Sequence, residues 1–435
     1  MTQASSLNII TLGCSKNTVD SEKLLAQFAA AGYRVVYDKY NFDSEIVIIN
    51  TCGFINDAKE ESINTILHFA GAKKEGKIKK LYVMGCLSER YKDELRAEIT
   101  EVEEFFGVNS PEEVVLGLKE NYIPELVPSR ILSGPSHYAY LKISEGCDRS
   151  CSFCAIPAIR GTYISRPVDD LVAEAAELAE RGVRELILIA QDLSYYGLDL
   201  YKEQKLPDLL RALLKVEKLE WIRLHYLYPA NFPLAILDIM ATEPRLCNYI
   251  ELPVQHISDR VLKLMKRSHG GPETRSLLQT IRKRLPEAAI RTSLISGHPG
   301  EDDTDHRELI DFISDFRFNR LGVFTYSHEE NTFAANNYKD DIPESLKSER
   351  RDEIMEIQQA ISLENNMALI GKTMKVIIDR KDTEYFYGRS EYDSPGVDQE
   401  ILIPLNNQNL KPGDFTKVKI VSASEFDLIG EVIED

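Results

Sequence analysis

The sequence has no apolar run near the roughly 18 residues that a membrane-spanning helix needs, so no helical membrane anchor is expected. Its first residues, MTQASSLNII, lack both a basic segment and a long apolar segment, and no export signal is expected. Positive charge is also short. Lys and Arg number 52 against 70 Asp and Glu, a net charge of −18. A general nucleic-acid binder would normally carry a basic face, so that class is disfavoured. A basic partner fits the balance, and so does a charge that only keeps the chain in solution. Internal repeats and low-complexity tracts are absent. Cysteines are few and odd in number, seven in 435 residues. Without an export signal a disulfide framework is a weak reading, and metal-binding or catalytic uses gain. A reducing cytoplasm follows as the expected location.

What is present is ordinary globular material, 43% hydrophobic and 28% charged, long enough for two to four domains. Residues 1–130 alternate strand and helix signals: LNIITLG, TVDSEKLLAQFAAAG, EIVIIN, DAKEESINTILHFAGA, KKLYVMG and SERYKDELRAEI. Such alternation predicts a doubly wound parallel α/β domain. A linker with Pro124, Pro128, Gly134 and Pro135 follows. Residues 131–370 hold six further strand candidates, YAYLKIS, ELILIAQ, IRLHYL, YIELPV, IRTSLIS and LGVFTY. The connections between them are long enough for crossover helices. This predicts a (β/α)6 partial barrel with its site at the carboxyl ends of the strands. A charged helix at about 343–369 leads to residues 371–435, where five short strands predict a small OB-like all-β barrel.

The stretch SEGCDRSCSFCAIPAIRG carries Cys147, Cys151 and Cys154 just after the first strand of the second segment. A structural zinc site closes with four ligands, whereas three leave a metal position open for chemistry. Thiolate-rich sites select zinc or iron–sulfur clusters. In a four-iron cubane, three cysteines leave one iron free, and the compact spacing lets one loop wrap three corners. Phe153, between two of the cysteines, would shield such a cluster from water. The alternative is a zinc knuckle missing a ligand, or chance clustering.

Cys14, Cys52 and Cys86 each follow a strand, in TLGC, INTC and VMGC. Parallel strands joined by right-handed crossovers share one carboxyl edge, so the three thiols are expected to converge where open α/β sheets bind ligands. Gly13, Gly53 and Gly85 flank them. A second three-cysteine cluster is the expectation, with three separate core cysteines as the alternative. Cys247, in RLCNYIEL, reads as a core thiol. His225 and His256 stand at strand ends of the second segment, as site-lining groups or as structural histidines.

The triplet resembles that of the radical S-adenosylmethionine superfamily. The resemblance implies that a 4Fe–4S cluster on Cys147, Cys151 and Cys154 chelates S-adenosylmethionine and cleaves it to a 5′-deoxyadenosyl radical. It also implies cofactor contacts from Gln191 and Asp192 in AQD, and from Leu294 and Gly297 in SLISGHPGE. Over its whole length the chain is similar to the methylthiotransferases. The strings TLGCSKNTVDSE, NTCGFI, GCLSERY, RPVDDL, AQDLSYYG, ELPVQHISDRVLKLMKR and HPGE occur in family order. That family joins an amino-terminal cluster domain, a radical barrel and a TRAM domain. The resemblance implies a second 4Fe–4S cluster on Cys14, Cys52 and Cys86, holding a sulfide or methylsulfide species. It further implies an electron donor of the flavodoxin or ferredoxin kind, and S-adenosylmethionine as both methyl donor and radical source.

The string GCSKN resembles the branch that methylthiolates an aspartate β-carbon of ribosomal protein S-twelve. The tRNA-modifying branch typically reads GCQMN there. Residues 371–435 carry 8 basic and 13 acidic side chains, a net of −5. A barrel so charged is expected to repel RNA phosphates and attract a basic ribosomal protein. Nucleic acid is therefore not the expected substrate. The rival readings are tRNA methylthiolation, an electron carrier with fully ligated clusters, and a zinc-stabilised ribosome-binding module without catalysis.

Overall fold

The computed structural model describes residues 5–108, 110–126, 129–405 and 409–433. Pro128, assigned above to the linker, lies outside them, as do the acids Glu434 and Asp435.

Strands β1 (Ser6–Thr11), β2 (Arg34–Tyr37), β3 (Ile46–Thr51), β4 (Lys80–Gly85) and β5 (Glu104–Phe105) form a parallel sheet in the order β2-β1-β3-β4-β5. Helices α1 (Ser15–Ala30), α2 (Asn56–Lys74), α3 (Cys86–Glu98) and α4 (Pro111–Gly117) cover it. On one face Leu24, Leu25 and Phe28 of α1 pack with Val114 and Val115 of α4. On the other Ile66 and Phe69 of α2 pack with Leu87 and Leu95 of α3. The central strands read as unbroken apolar runs because both faces are covered. Strand order reverses between β1 and β3, which opens a crevice at their carboxyl ends. β2 and β5 escaped the sequence reading: one is a short, partly exposed edge strand and the other has two residues.

The second segment holds β6 (Tyr138–Lys142), a hairpin of β7 (Ser144–Glu145) and β8 (Ile164–Ser165), then β9 (Glu185–Ile189), β10 (Trp221–Leu224), β11 (Leu246–Glu251), β12 (Ala289–Ser296) and β13 (Arg320–Thr325). The six longer strands lie side by side in chain order, all parallel, as the expected open partial barrel. The small hairpin was not anticipated. It ties together the two ends of the loop that bears Cys147, Cys151 and Cys154.

Helix Glu344–Met367 leads into a closed barrel of β14 (Thr373–Lys381), β15 (Tyr385–Ser390), β16 (Ile401–Pro404), β17 (Phe415–Ala423) and β18 (Leu428–Val432). Val376, Ile378, Phe386, Ile403, Val418 and Leu428 fill it. This barrel is docked onto the first residues of the central strands. Glu185, fully buried, accepts from Arg223 and from Arg389, each at 2.7 Å. Arg320 pairs with Asp393 at 2.6 Å, and the Tyr249 hydroxyl donates to Asp398 at 2.8 Å. Glu391 accepts from Asn248 at 2.9 Å.

These contacts correct one expectation. The net −5 does not make an acidic surface, because several of the acids face the central barrel. Among the described residues of 371–435, the exposed acids are Asp382, Glu384 and Glu431. Every basic residue there except Arg389 is exposed. The electrostatic argument against RNA therefore fails: formal charge ignores which carboxylates are buried against guanidiniums.

Candidate functional site

Cys14 caps α1, Cys52 follows β3 directly, and Cys86 opens α3. The structure brings the three to one edge of the sheet. Gly13 has φ +88°, and a Cβ there would sit 2.7 Å from the Cys52 Cβ and 2.9 Å from its Sγ. Only glycine lets the Cys14 loop lie so close to the Cys52 loop. Asn17 staples them, donating to the carbonyls of Leu12 (2.8 Å) and Thr51 (3.1 Å). Ser62 of α2 holds the backbone of Cys52 from below, accepting from its N–H and donating to its carbonyl.

Arg160 ends the short helix Ile156–Arg160, six residues beyond Cys154, and points into the other trio. It is buried and donates to Asn17 Oδ1 at 2.6 Å, Glu145 Oε1 at 2.9 Å and Cys86 Sγ at 3.6 Å. Burial alone would raise the Cys14 thiol, but Lys16, Arg160 and nearby backbone N–H groups outweigh it and hold the pKa below the ordinary thiol range. Burial dominates at Cys86 and pushes it up to about 11.

Around the second trio, Gly146 has φ +73°, and a side chain there would run into the Thr162 carbonyl. The Cys147 N–H donates to the Gly161 carbonyl at 3.1 Å, which closes the loop on itself. Arg267 donates to Cys151 Sγ at 3.4 Å and to the Pro253 carbonyl at 2.7 Å. The Arg149 N–H donates to Cys147 Sγ at 3.4 Å. Burial pushes Cys147 up to about 11 and Cys154 up to about 12. A cavity of about 390 Å³ reaches Cys151 and Cys154, bounded by Tyr91 of α3, Arg149, Lys266 and Phe333.

The residues fit iron–sulfur clusters. Each trio consists of thiols with hydrogen-bond donors on at least one sulfur. Among the described residues no three His, Cys, Asp or Glu groups are gathered tightly enough for one metal ion. A four-iron cluster does not require that, since each cysteine takes a different iron.

Of the other sequence candidates, Gln191 donates to Glu145 at 3.2 Å, and its Oε1 is buried without a partner. That spare acceptor suits a cofactor ammonium. Asp192 is fully engaged: its carboxylate accepts from Arg149 at 2.8 Å and caps the turn at Ser194. It orders the cysteine loop through Arg149. Leu294 is completely buried within the main barrel core. Gly297 (φ +75°) lies against the side chain of Lys347, where a Cβ has no room. Its neighbour His298 contacts the cysteine loop, with Nε2 3.2 Å from Ser152 Oγ. Cys247 is a core thiol, 1% exposed. His225 meets Ser394 Oγ at 2.9 Å and His256 accepts from the Ser258 N–H, which gives both structural partners. Arg160, Arg267 and Asn17 went unnoticed in the sequence. All three lie inside the quoted motifs, but nothing in a string reveals a guanidinium aimed at a distant sulfur.

Comparison with known proteins agrees with this architecture. Residues 6–107 match the model of an uncharacterized protein family, UPF0004; residues 141–313 match the radical SAM superfamily, and residues 370–433 the TRAM domain. A protein of Christiangramia forsetii named ribosomal protein uS12 methylthiotransferase RimO is 53% identical over 98% of this chain and 94% of its own length. A protein of the same name from Cytophaga hutchinsonii is 51% identical over 99% of both chains. Among solved structures, the radical S-adenosylmethionine methyltransferase TsrM of Kitasatospora setae superposes with a TM-score of 0.55 at 14% identity, over 76% of this chain and 77% of that one. The cobalamin-dependent radical enzyme OxsB gives 0.53 at 11% identity, over 82% of this chain and 56% of its own. At such identities these two likenesses show the fold alone. No helix among the described residues is long and apolar enough to cross a membrane. Full-length identity of about half, three matching domains in order and a radical SAM barrel establish that the chain is a radical SAM enzyme of the methylthiotransferase family whose members are named RimO.

Proposed function

We propose that this enzyme attaches a methylthio group to the β-carbon of an aspartate in ribosomal protein S-twelve, in the cytoplasm. Cys147, Cys151 and Cys154 would hold one 4Fe–4S cluster with S-adenosylmethionine. Cys14, Cys52 and Cys86 would hold a second that carries the sulfur species. When bound, these groups supply a carbon-centred radical and a methylated sulfur, drawing electrons from a flavodoxin- or ferredoxin-like donor. A β-carbon C–H is too weakly acidic for any side-chain base, so the protein's task is to bind, orient and exclude water.

The observation that carries the reading is Arg160, which belongs to the loop of one trio and donates to a sulfur of the other. The two sites therefore face each other across the domain junction. Further ties fix that junction. Arg90 of α3 donates to Glu329 at 2.8 Å, and Lys59 of α2 pairs with the same carboxylate at 3.0 Å. Lys142 binds both Asp20 and Glu145. Gln191 would receive the cofactor ammonium, while Asp192 orders the loop through Arg149.

Methylthiolation of a tRNA adenosine is the second reading. It gains from the exposed basic residues of the terminal barrel, Lys372, Lys375, Lys411, Lys417 and Lys419 among them. Anaerobically reconstituted enzyme, given S-adenosylmethionine and reductant, distinguishes the two by mass spectrometry of S-twelve and of tRNA. A methylthio adduct on tRNA with none on the protein would overturn the first.

A further inference from the structure

Lys16 is the fourth residue of the GCSKN string and stands in the first turn of α1, two residues after Cys14. It is 7% exposed, an unusual setting for an ammonium. Buried lysines are ordinarily paired, yet no hydrogen bond or ion pair reaches this Nζ from any described residue. Its one close contact is the ring of Tyr226, with Nζ 3.3 Å from the centroid. Tyr226 belongs to the other domain, just beyond the carboxyl end of β10, and is held at φ +65°, a left-handed conformation that a non-glycine residue adopts rarely. Its N–H donates to Glu251 at 3.2 Å. So a cation from the sulfur-site domain crosses the junction and lies over an aromatic face in the mouth of the radical barrel.

Burial lowers the pKa of Lys16, and the anions whose fields oppose that are Cys14, Glu251 and Glu145. Both carboxylates have other partners. Glu145 is bound by Lys142 at 2.7 Å and Arg160 at 2.9 Å. Glu251 lies 3.7 Å from Arg291 and 3.7 Å from His225. The nearby cations are engaged too: Arg160 by Glu145 and Asn17, Arg149 by Asp192. Among the described residues no carboxylate pairs with Lys16: it shares the field of Cys14 and lies beside a ring that orients an ammonium but cannot neutralise it.

We infer that Lys16 is the anchor for the side-chain carboxylate of the substrate residue, so that the site selects an acidic amino acid. The inference rests on the proposed function above. Its geometry suits the reaction. An aspartate β-carbon is bonded directly to its carboxylate carbon, so a cation that fixes the carboxylate holds the target C–H one bond away. That cation lies between Cys14, on the sulfur side, and the mouth of the barrel where the radical forms. Lys16 is a substrate-positioning residue and needs no role in breaking or forming bonds.

The test is a binding cycle on reconstituted enzyme. Wild type, Lys16→Met and Lys16→Arg are each titrated with a peptide carrying the S-twelve target aspartate and with the same peptide bearing asparagine. The expected result is an affinity loss of about ten- to hundredfold for Lys16→Met with the aspartate peptide. The asparagine peptide should bind wild type and Lys16→Met equally weakly, and Lys16→Arg should retain most of the preference for aspartate. Equal losses for both peptides, or no loss, overturn the anchor. Iron is counted on the same samples, and depletion in Lys16→Met that Lys16→Arg does not share would assign the lysine to the cluster on Cys14, Cys52 and Cys86 instead, which also overturns the proposal. Failure of the underlying reading looks different: wild type would then modify tRNA and leave S-twelve untouched. If wild type modifies S-twelve but the cycle shows no coupling, the anchor alone is wrong.

Discussion

Arg160 Nη2 lies 3.6 Å from the sulfur of Cys86. The two residues are 74 positions apart and belong to different domains. Arg160 is held from its other side by Glu145, whose pKa burial would raise but Lys142 and Arg160 drive far below the usual carboxylate range. One guanidinium thus joins the two cysteine trios through a buried ionic network. Hydrogen bonds to cluster sulfurs are among the protein's means of setting a reduction potential.

Replacing Arg160 with glutamine is expected to do two separable things. It should lower the reduction potential of the cluster on Cys14, Cys52 and Cys86, read by redox titration of its spectroscopic signal. It should also destabilise the chain by about 1–3 kcal/mol, because Glu145 loses one of its two buried cations and keeps Lys142. An unchanged potential in a folded variant would remove the sulfur contact from the account.

Iron content tests the two-cluster arrangement. Reconstituted wild type should approach about eight irons per chain, four for each cluster. Replacing Cys147, Cys151 and Cys154 with alanine should leave about half, and so should replacing Cys14, Cys52 and Cys86. Wild type near four irons would refute the second cluster.

The two trios should also differ in function. Cys151→Ala is expected to abolish 5′-deoxyadenosine formation, measured by chromatography, since the remaining two thiols cannot leave a single open iron. Cys52→Ala should still cleave S-adenosylmethionine but transfer no methylthio group. Wild-type transfer by Cys52→Ala would refute the sulfur-carrying role.

Glu185 carries the docking of the terminal barrel. It is buried, and burial is outweighed by Arg389 and Arg223, which hold its carboxyl below the usual range. Glu185→Gln should reduce unfolding free energy in urea by about 3–5 kcal/mol, because Arg223 loses its buried counter-ion and Arg389 is left with Asp379. Asp393→Lys, which puts a second cation beside Arg320, should be equally harmful. Glu431→Gln, at the exposed surface, should change stability by no more than about 0.5 kcal/mol.

Acid should weaken the central barrel through a buried histidine. Burial pushes His256 down to about 3, so it stays neutral in the folded chain while the unfolded chain gains a proton below about 6.5. The unfolded state then binds more protons, and stability present above pH 6.5 is lost progressively as pH falls toward 3. Urea midpoints at pH 7.5 and 5.5 should show the decline, and His256→Asn should show a smaller one.

The sequence by itself determined the three domains' classes, the six central strands in their order and the two cysteine trios. These rest on local quantities: apolar runs as long as a buried strand, and spacings counted along one loop. The convergence of Cys14, Cys52 and Cys86 was legible too, because parallel strands with right-handed crossovers share an edge whatever their sequence separation. Edge strand β2 and two-residue β5 were not, since neither is long enough to show a pattern. Only the tertiary structure decided where charge resides. It turned the side chains of Asp393 and Asp398 against the central barrel and left the lysines of the terminal barrel outside, reversing the reading of a net −5. It also decided that Arg160 of one motif meets Cys86 of another, and that Lys16 crosses to Tyr226. Electrostatic partners are set by distance and burial across domains, and neither is encoded in the spacing of residues along the chain.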